Sequence, residues 1–289
     1  MPIWILLLSL TVSNLAETDY PNRQLLIEPG QLAKEINNNG WRILDVRSAQ
    51  AHAAGHVPQA MRVDGSEWAK AFQDGKDASG WSKRLSELGL TRDSKVVVYD
   101  DASNKDAARV WWILKFWGVR DVRLLHGMWN GWKSGGYEQS KLIMHAIPTD
   151  FEVQRQEGRL ATKQQILQYL QDKSAGIIDA RTEAEFTGKN KLNNKFGGCI
   201  PGAKHLDWAD LVESKTQRFK SADELKSLFA SHQIDLNKPQ VAHCQSGGRS
   251  SVMNFAMELM GAKAVRNYHA SWGEWGNSDD VPIDLKANK

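Results

Sequence analysis

Cys244 is the residue of this chain best placed to do covalent chemistry. It stands in the run His243-Cys244-Gln245-Ser246-Gly247-Gly248-Arg249-Ser250-Ser251. The short run Pro239-Gln240-Val241-Ala242 precedes it, and Val252 to Met260, ending at Gly261, follows it. That order predicts a strand, a tight loop and a helix. A cysteine at the mouth of such a loop faces backbone N–H groups and the positive end of a helix dipole. Both favour an anion, so they favour thiolate over thiol. Arg249 adds positive charge five positions on. A cysteine that only fills a core has no need of this glycine-rich, hydroxyl-bearing continuation.

The elements that position the loop come from a repeat. Ile43-Leu44-Asp45-Val46-Arg47-Ser48 recurs as Ile177-Ile178-Asp179-Ala180-Arg181-Thr182, an offset of 179 − 45 = 134. Gly55-His56-Val57-Pro58 recurs as Gly198-Cys199-Ile200-Pro201 at 198 − 55 = 143, and Trp129-Asn130-Gly131-Trp132 recurs as Trp272-Gly273-Glu274-Trp275 at the same offset. The difference, 143 − 134 = 9 residues, predicts a polar surface insertion around Lys189 to Lys195. Two copies of one domain follow, at residues 22–145 and 150–285, joined around Glu138 to Asp150. Short apolar runs such as Lys95-Val96-Val97-Val98-Tyr99 alternate with amphipathic stretches such as Ala107 to Trp117. The predicted class is α/β, each copy a parallel sheet with helices on both faces and its ligands at the carboxyl ends of the strands. Subtracting 143 from 244 puts Asp101 where the first copy would carry a cysteine, so that copy is expected to be inactive. Its role is then structural, or to wall a cleft between the domains.

Composition narrows the function classes. Lys+Arg 37 against Asp+Glu 34 gives +3, too near neutrality to argue for nucleic acid. Two cysteines, Cys199 and Cys244, leave no disulfide framework and no all-cysteine metal cage. No metal or other cofactor is expected. Trp111, Trp112 and Trp117 sit among apolar neighbours and are assigned to the core. Residues 1–16 read as a secretory signal, with cleavage after Ser13 or Ala16, although no Lys or Arg precedes the apolar stretch. The apolar stretch is too short to span a membrane. The expected location is periplasmic or extracellular, with the cytoplasm as the alternative.

These residues together resemble the tandem-domain rhodaneses, the thiosulfate and 3-mercaptopyruvate sulfurtransferases. The resemblance rests on the two Asp-x-Arg segments, Gly55-His56-Val57-Pro58, the loop Cys244 to Ser251 and the ending Ser271-Trp272-Gly273-Glu274-Trp275, and it spans Leu25 to Ile283. It implies two tandem rhodanese-like domains. It also implies a mechanism in which Cys244 takes the outer sulfur of a small anionic donor and carries it as a persulfide. The acceptor would be cyanide or a thiol, including a thioredoxin-like protein. Gln245, Ser246, Gly247, Gly248, Arg249 and Ser250 would hold the persulfide and donor through amides, a hydroxyl and a guanidinium.

Several residues weigh on that expectation. His243 precedes Cys244 on a strand, so it points to the opposite face and is expected to pack under the sheet. Asp179 and Arg181 repeat as Asp45 and Arg47 in the copy without a cysteine, which argues for a structural ion pair. Cys199 stands where the first copy has His56 and is expected to be a small buried side chain, although a disulfide to Cys244 is conceivable. Glu185 occupies the place where the two-domain enzymes carry a donor-binding arginine, so Arg249 is expected to make the anion contact instead. The loop also matches neither the basic loop of the thiosulfate enzymes nor the Cys-Gly-Ser-Gly-Val-Thr pattern of the mercaptopyruvate enzymes. That leaves thiosulfate or 3-mercaptopyruvate open as donor. Two other classes compete: a persulfide carrier or redox module, and a cysteine phosphatase. The phosphatase loop is Cys-x5-Arg, whereas Cys244 to Arg249 is Cys-x4-Arg, too tight for a tetrahedral phosphate.

Overall fold

The computed structural model describes residues 20–38 and 40–285. The expected export signal at residues 1–16 lies outside them. Among the described residues no helix is long and apolar enough to cross a membrane.

The first half forms a parallel sheet of β1 (Leu26–Ile27), β2 (Trp41–Asp45), β3 (Ala60–Arg62), β4 (Lys95–Tyr99) and β5 (Asp121–Leu125), in the order β1-β5-β4-β2-β3. The second half repeats the plan with β6 (Gly176–Asp179), β7 (Lys204–His205), β8 (Gln240–His243) and β9 (Val265–Asn267), in the order β7-β6-β8-β9. Helices pack against both sheets, so the central strands are apolar without alternation. Val96, Val97, Val98 and Tyr99 are all fully buried.

The Asp-x-Arg segments end equivalent strands in nearly identical geometry. Arg47 Nη2 donates to Asp45 Oδ2 at 2.6 Å and to the Gly55 carbonyl at 2.8 Å. Arg181 Nη2 donates to Asp179 Oδ2 at 2.6 Å and to the Gly198 carbonyl at 2.7 Å. Each guanidinium lies over a tryptophan, Trp129 at 4.1 Å and Trp272 at 4.2 Å. A buried pair satisfied in the same way beside and away from the cysteine is scaffold.

The halves join through equivalent helices. Lys105–Phe116 packs against Gly248–Leu259, with Trp111 edge-on to Phe255 at 4.8 Å, and one apolar core runs through both domains. Burying two such side chains contributes roughly 1.5–3 kcal/mol each. Trp111, Trp112 and Trp117 all lie in this core.

Two segments cross between the halves. Residues 151–156, expected in the second domain, bond to the first: Phe151 N–H donates to Ser86 Oγ at 3.0 Å and Gln156 N–H to the Phe116 carbonyl at 2.7 Å. The chain changes sheets only near Ala161, whose N–H donates to the Asn267 carbonyl at 2.9 Å. In return, Asn22 N–H donates to the Leu259 carbonyl at 3.0 Å.

The strand register moves the equivalence at the loop by one residue. Asp45 pairs with Tyr99 and Asp179 with His243, an offset of 243 − 99 = 144. The helices that follow begin at Lys105 and Gly248, an offset of 143. The first-domain loop is therefore one residue longer, and Asp100, not Asp101, stands in the place of Cys244. The absence of a thiol there is unchanged.

Candidate active site

Cys244 follows β8 directly, at the carboxyl edge of a fully buried strand, and is 1% exposed. The loop is held from below by the segment after β9. Cys244 N–H donates to Ser271 Oγ at 3.0 Å, and the Cys244 and Gln245 carbonyls accept the N–H groups of Trp272 and Gly273, each at 2.9 Å. Gly247 caps the following helix with φ 85°, a left-handed conformation that glycine adopts without strain. A Cβ at Gly247 would also collide with the His269 ring, and one at Gly248 with the Arg109 guanidinium. Gly247 is required by both its φ and the His269 contact, whereas at Gly248 the flexible Arg109 side chain would have to move.

The surroundings of the sulfur favour an anion. Ser250 Oγ lies 3.5 Å and Ser271 Oγ 3.9 Å from Cys244 Sγ. Burial pushes the thiol up. The Arg249 charge, the Ser250 hydroxyl and the amides of Ser250 and Ser246 outweigh it and hold the thiol below its ordinary value. Ser250 Oγ is also 2.8 Å from Asn267 Oδ1, so its single proton is shared between two acceptors.

Arg249 is not an open anion contact. Its Nη1 and Nη2 donate to Glu185 Oε2 and Oε1 at 2.6 and 2.8 Å, a bidentate pair largely removed from solvent. Glu185 sits in the short helix Glu183–Phe186, whose capping box with Thr182 fixes its carboxylate. Burial raises the Glu185 carboxyl, but Arg249 outweighs it and holds the carboxyl below its usual range. The expectation that Arg249 replaces the missing donor-binding arginine is corrected: Glu185 occupies the guanidinium, leaving Arg249 to act on the sulfur.

The remaining expected residues separate cleanly. The Arg249 charge, the Ser250 hydroxyl and the backbone N–H groups of Ser246 and Ser250 act on the sulfur, whereas Ser246 itself is exposed. The Gln245 side chain turns away, exchanging two hydrogen bonds of 3.0 and 3.1 Å with Asn194. Asn194 belongs to the insertion read as a surface loop, yet it is 5% exposed and also accepts from Asn277 Nδ2 at 3.0 Å. His243 is fully buried, with Nε2 3.5 Å from Asp179 Oδ2, and burial pushes it down to about 4. Burial beside Asp179 lowers the basicity of His243, which argues against a role as the base for Cys244. Cys199 and Cys244 are both buried, and no disulfide joins them. Among the described residues no cluster of three or more His, Cys, Asp or Glu could hold a metal ion.

A cleft of about 880 Å³ opens between the domains and reaches the loop at Ser246. The model of the rhodanese-like domain matches residues 28–135 and again 162–278. The chain belongs to the rhodanese family. It is 31% identical to a thiosulfate sulfurtransferase of Corynebacterium glutamicum, covering 93% of each chain. It is 29% identical to a sulfur carrier protein of Thermus thermophilus, covering 91% of this chain and 98% of that one. The crystal structure of the 3-mercaptopyruvate sulfotransferase SseA from Escherichia coli superposes with a TM-score of 0.76 at 25% identity, covering 86% of this chain and 98% of that one.

Sequence reasoning missed four residues of this rhodanese-like site. Ser271 lies just before the repeated Trp segment, which was visible but assigned no contact to the cysteine. Asn194, Arg109 and His269 reach the loop from distant positions, and no local pattern marks them.

Proposed function

We propose that this chain is a sulfurtransferase that moves sulfane sulfur from thiosulfate, or a similar small anion, through a persulfide on Cys244. The observation that carries the reading is the sulfur's environment: a buried thiol held below its ordinary value by Arg249, Ser250 and two amides. The thiol first loses its proton to solvent. The thiolate then attacks the outer sulfur of thiosulfate, the S–S bond breaks, and sulfite leaves with the electron pair. Cyanide or a thiolate next attacks the outer persulfide sulfur, and the bonding pair returns to Cys244. The donors that hold the thiolate also hold the persulfide anion, so little reorganises between the half-reactions.

Ser246, Gly247, Gly248 and Ser250 form the persulfide-binding loop, and Gln245 contributes backbone while its side chain braces the insertion. The thiosulfate sulfurtransferase among the relatives favours thiosulfate over 3-mercaptopyruvate. The sulfur carrier relative supports a second reading, in which a thioredoxin-like protein or another carrier receives the sulfur. We keep residues 1–16 as an export signal.

The test is a donor panel, thiosulfate against 3-mercaptopyruvate, read as thiocyanate from cyanide, with mass spectrometry of Cys244. Turnover with thiosulfate and the gain of one sulfur at Cys244 are expected, both lost in Cys244→Ser with the fold retained. Residual turnover in that variant would overturn the mechanism.

A further inference from the structure

The loop's own charges do not suffice for a doubly charged donor. Arg249, Glu185 and the Cys244 thiolate sum to −1, with the arginine held bidentate by the glutamate. A dianion approaching that set meets net repulsion unless another cation stands at the loop.

The cleft supplies one from the domain that lacks the cysteine. Three of its lining cations are half-buried: Lys105, Arg109 and Lys163. Lys105 lies 3.9 Å from Asp106 and Lys163 pairs with Asp280 at 3.0 Å. Arg109 has no carboxylate partner among the described residues, and its Nε is buried without a hydrogen bond. It projects from the helix Lys105–Phe116 against Gly248, the first residue of the helix that carries Arg249 and Ser250. The unpaired guanidinium therefore meets the positive end of a twelve-residue helix, where only an anion relieves the like charges.

A second group points to the same place. His269 lines the cleft, is 5% exposed and lies against Gly247, beside Gly248. Its Nε2 is buried with no partner. Trp112 stacks on its ring at 5.5 Å and Phe72 packs at 4.7 Å, both from the first domain. Burial and the Arg109 charge push it down to about 3, so it is neutral. A buried polar atom left unpaired in an enzyme cleft awaits a partner.

We propose that Arg109, supplied by the domain without the cysteine, binds the oxyanion end of the sulfur donor at the mouth of the Cys244 loop, with His269 Nε2 as a neutral hydrogen-bonding partner. The inference rests on the sulfur-transfer reading above and names the residue that replaces the arginine lost at Glu185. It assigns the first domain a binding role: its own loop is inactive, but its helix completes the neighbour's site.

Arg109→Gln should raise the KM for thiosulfate about ten- to a hundredfold, the loss of one charge-assisted contact, with kcat changed less than about threefold. Arg109→Lys should lie between, since it keeps the charge and loses the fork. Unchanged KM, or a fall in kcat at constant KM, would overturn the proposal. Direct titration of thiosulfate into Cys244→Ser, with and without Arg109→Gln, separates this inference from the proposed activity. Affinity that drops with Arg109→Gln supports the binding role even if Cys244 never gains sulfur, and equal affinity refutes it even if Cys244 does. Unfolding curves for each variant show that the comparison is made on folded protein; a loss of affinity matched by loss of the fold in both Arg109→Gln and Arg109→Lys would count against a binding role.

Discussion

Asp100 takes in the first domain the place that Cys244 takes in the second. Each follows the strand residue paired with the aspartate of an Asp-x-Arg segment. Each carbonyl accepts from a tryptophan N–H, Trp129 at 3.0 Å and Trp272 at 2.9 Å. The Asp100 carboxylate is buried and accepts the N–H groups of Ala102, Asn104, Asp106 and Ala107 at 2.9–3.1 Å. The first domain thus keeps an anion-binding loop and fills it with its own side chain. The second domain closes over it: Asn104 Nδ2 donates to the Gln217 carbonyl at 2.9 Å, and Gln217 Nε2 to the Asp101 carbonyl at 3.1 Å.

Asp100→Ala should therefore destabilise the chain by about 3 kcal/mol, because buried N–H groups lose their acceptor. Urea unfolding measures it. Sulfur transfer per folded molecule should stay within about twofold, since the loop is not the reacting one. A stability within about 0.5 kcal/mol of wild type would mean that the four amides find other partners.

Arg249 and Glu185 should set the pH dependence of sulfur capture. Only the thiolate attacks, so the rate is present above the folded thiol's pKa and falls as pH drops through it. The Arg249 charge holds that point below the ordinary thiol value. Arg249→Gln should move the acid limb of the rate profile to higher pH and lower kcat/KM at pH 7 by roughly tenfold or more. Glu185→Gln releases the guanidinium and should move the limb the other way. An acid limb unmoved by both variants would remove Arg249 from control of the thiol.

The domain interface should weaken in acid. Glu28 accepts from Arg218 Nη1 and Nη2 at 3.0 and 2.8 Å and lies 2.8 Å from His126 Nδ1. Burial raises its carboxyl, but His126 and Arg218 bring it down from 4.5 to about 2. A depressed carboxylate contributes stability that is complete above the unfolded value. Here that contribution is lost as pH falls from about 4.5 toward 2. Melting temperatures across that window should fall less steeply in Arg218→Ala than in wild type, from a lower start near pH 6. Parallel curves would show that the pair adds nothing.

Much of the site was legible because it is local. Val96 to Tyr99 read as a buried strand from composition, the run Pro239 to Ala242 read as a strand from its place before the loop, and the glycines after Cys244 announced a tight turn. Arg249 lies within one loop and turn of the cysteine, so spacing alone brought it near the sulfur. Counting by a constant offset failed at Asp101, because the loop lengths differ by one residue while the flanking helices keep step. Only hydrogen-bonded register shows that difference.

The sequence by itself determined the candidate nucleophile, the duplicated α/β plan and the loss of a thiol from the first copy, since each follows from neighbours a few positions apart. Tertiary structure decided which charges face the sulfur. Glu185 and Arg249 are 64 positions apart, and Arg109 and Gly248 meet from different domains. Such pairs are set by how two sheets and two helices pack, and electrostatics depends on those distances rather than on separation along the chain.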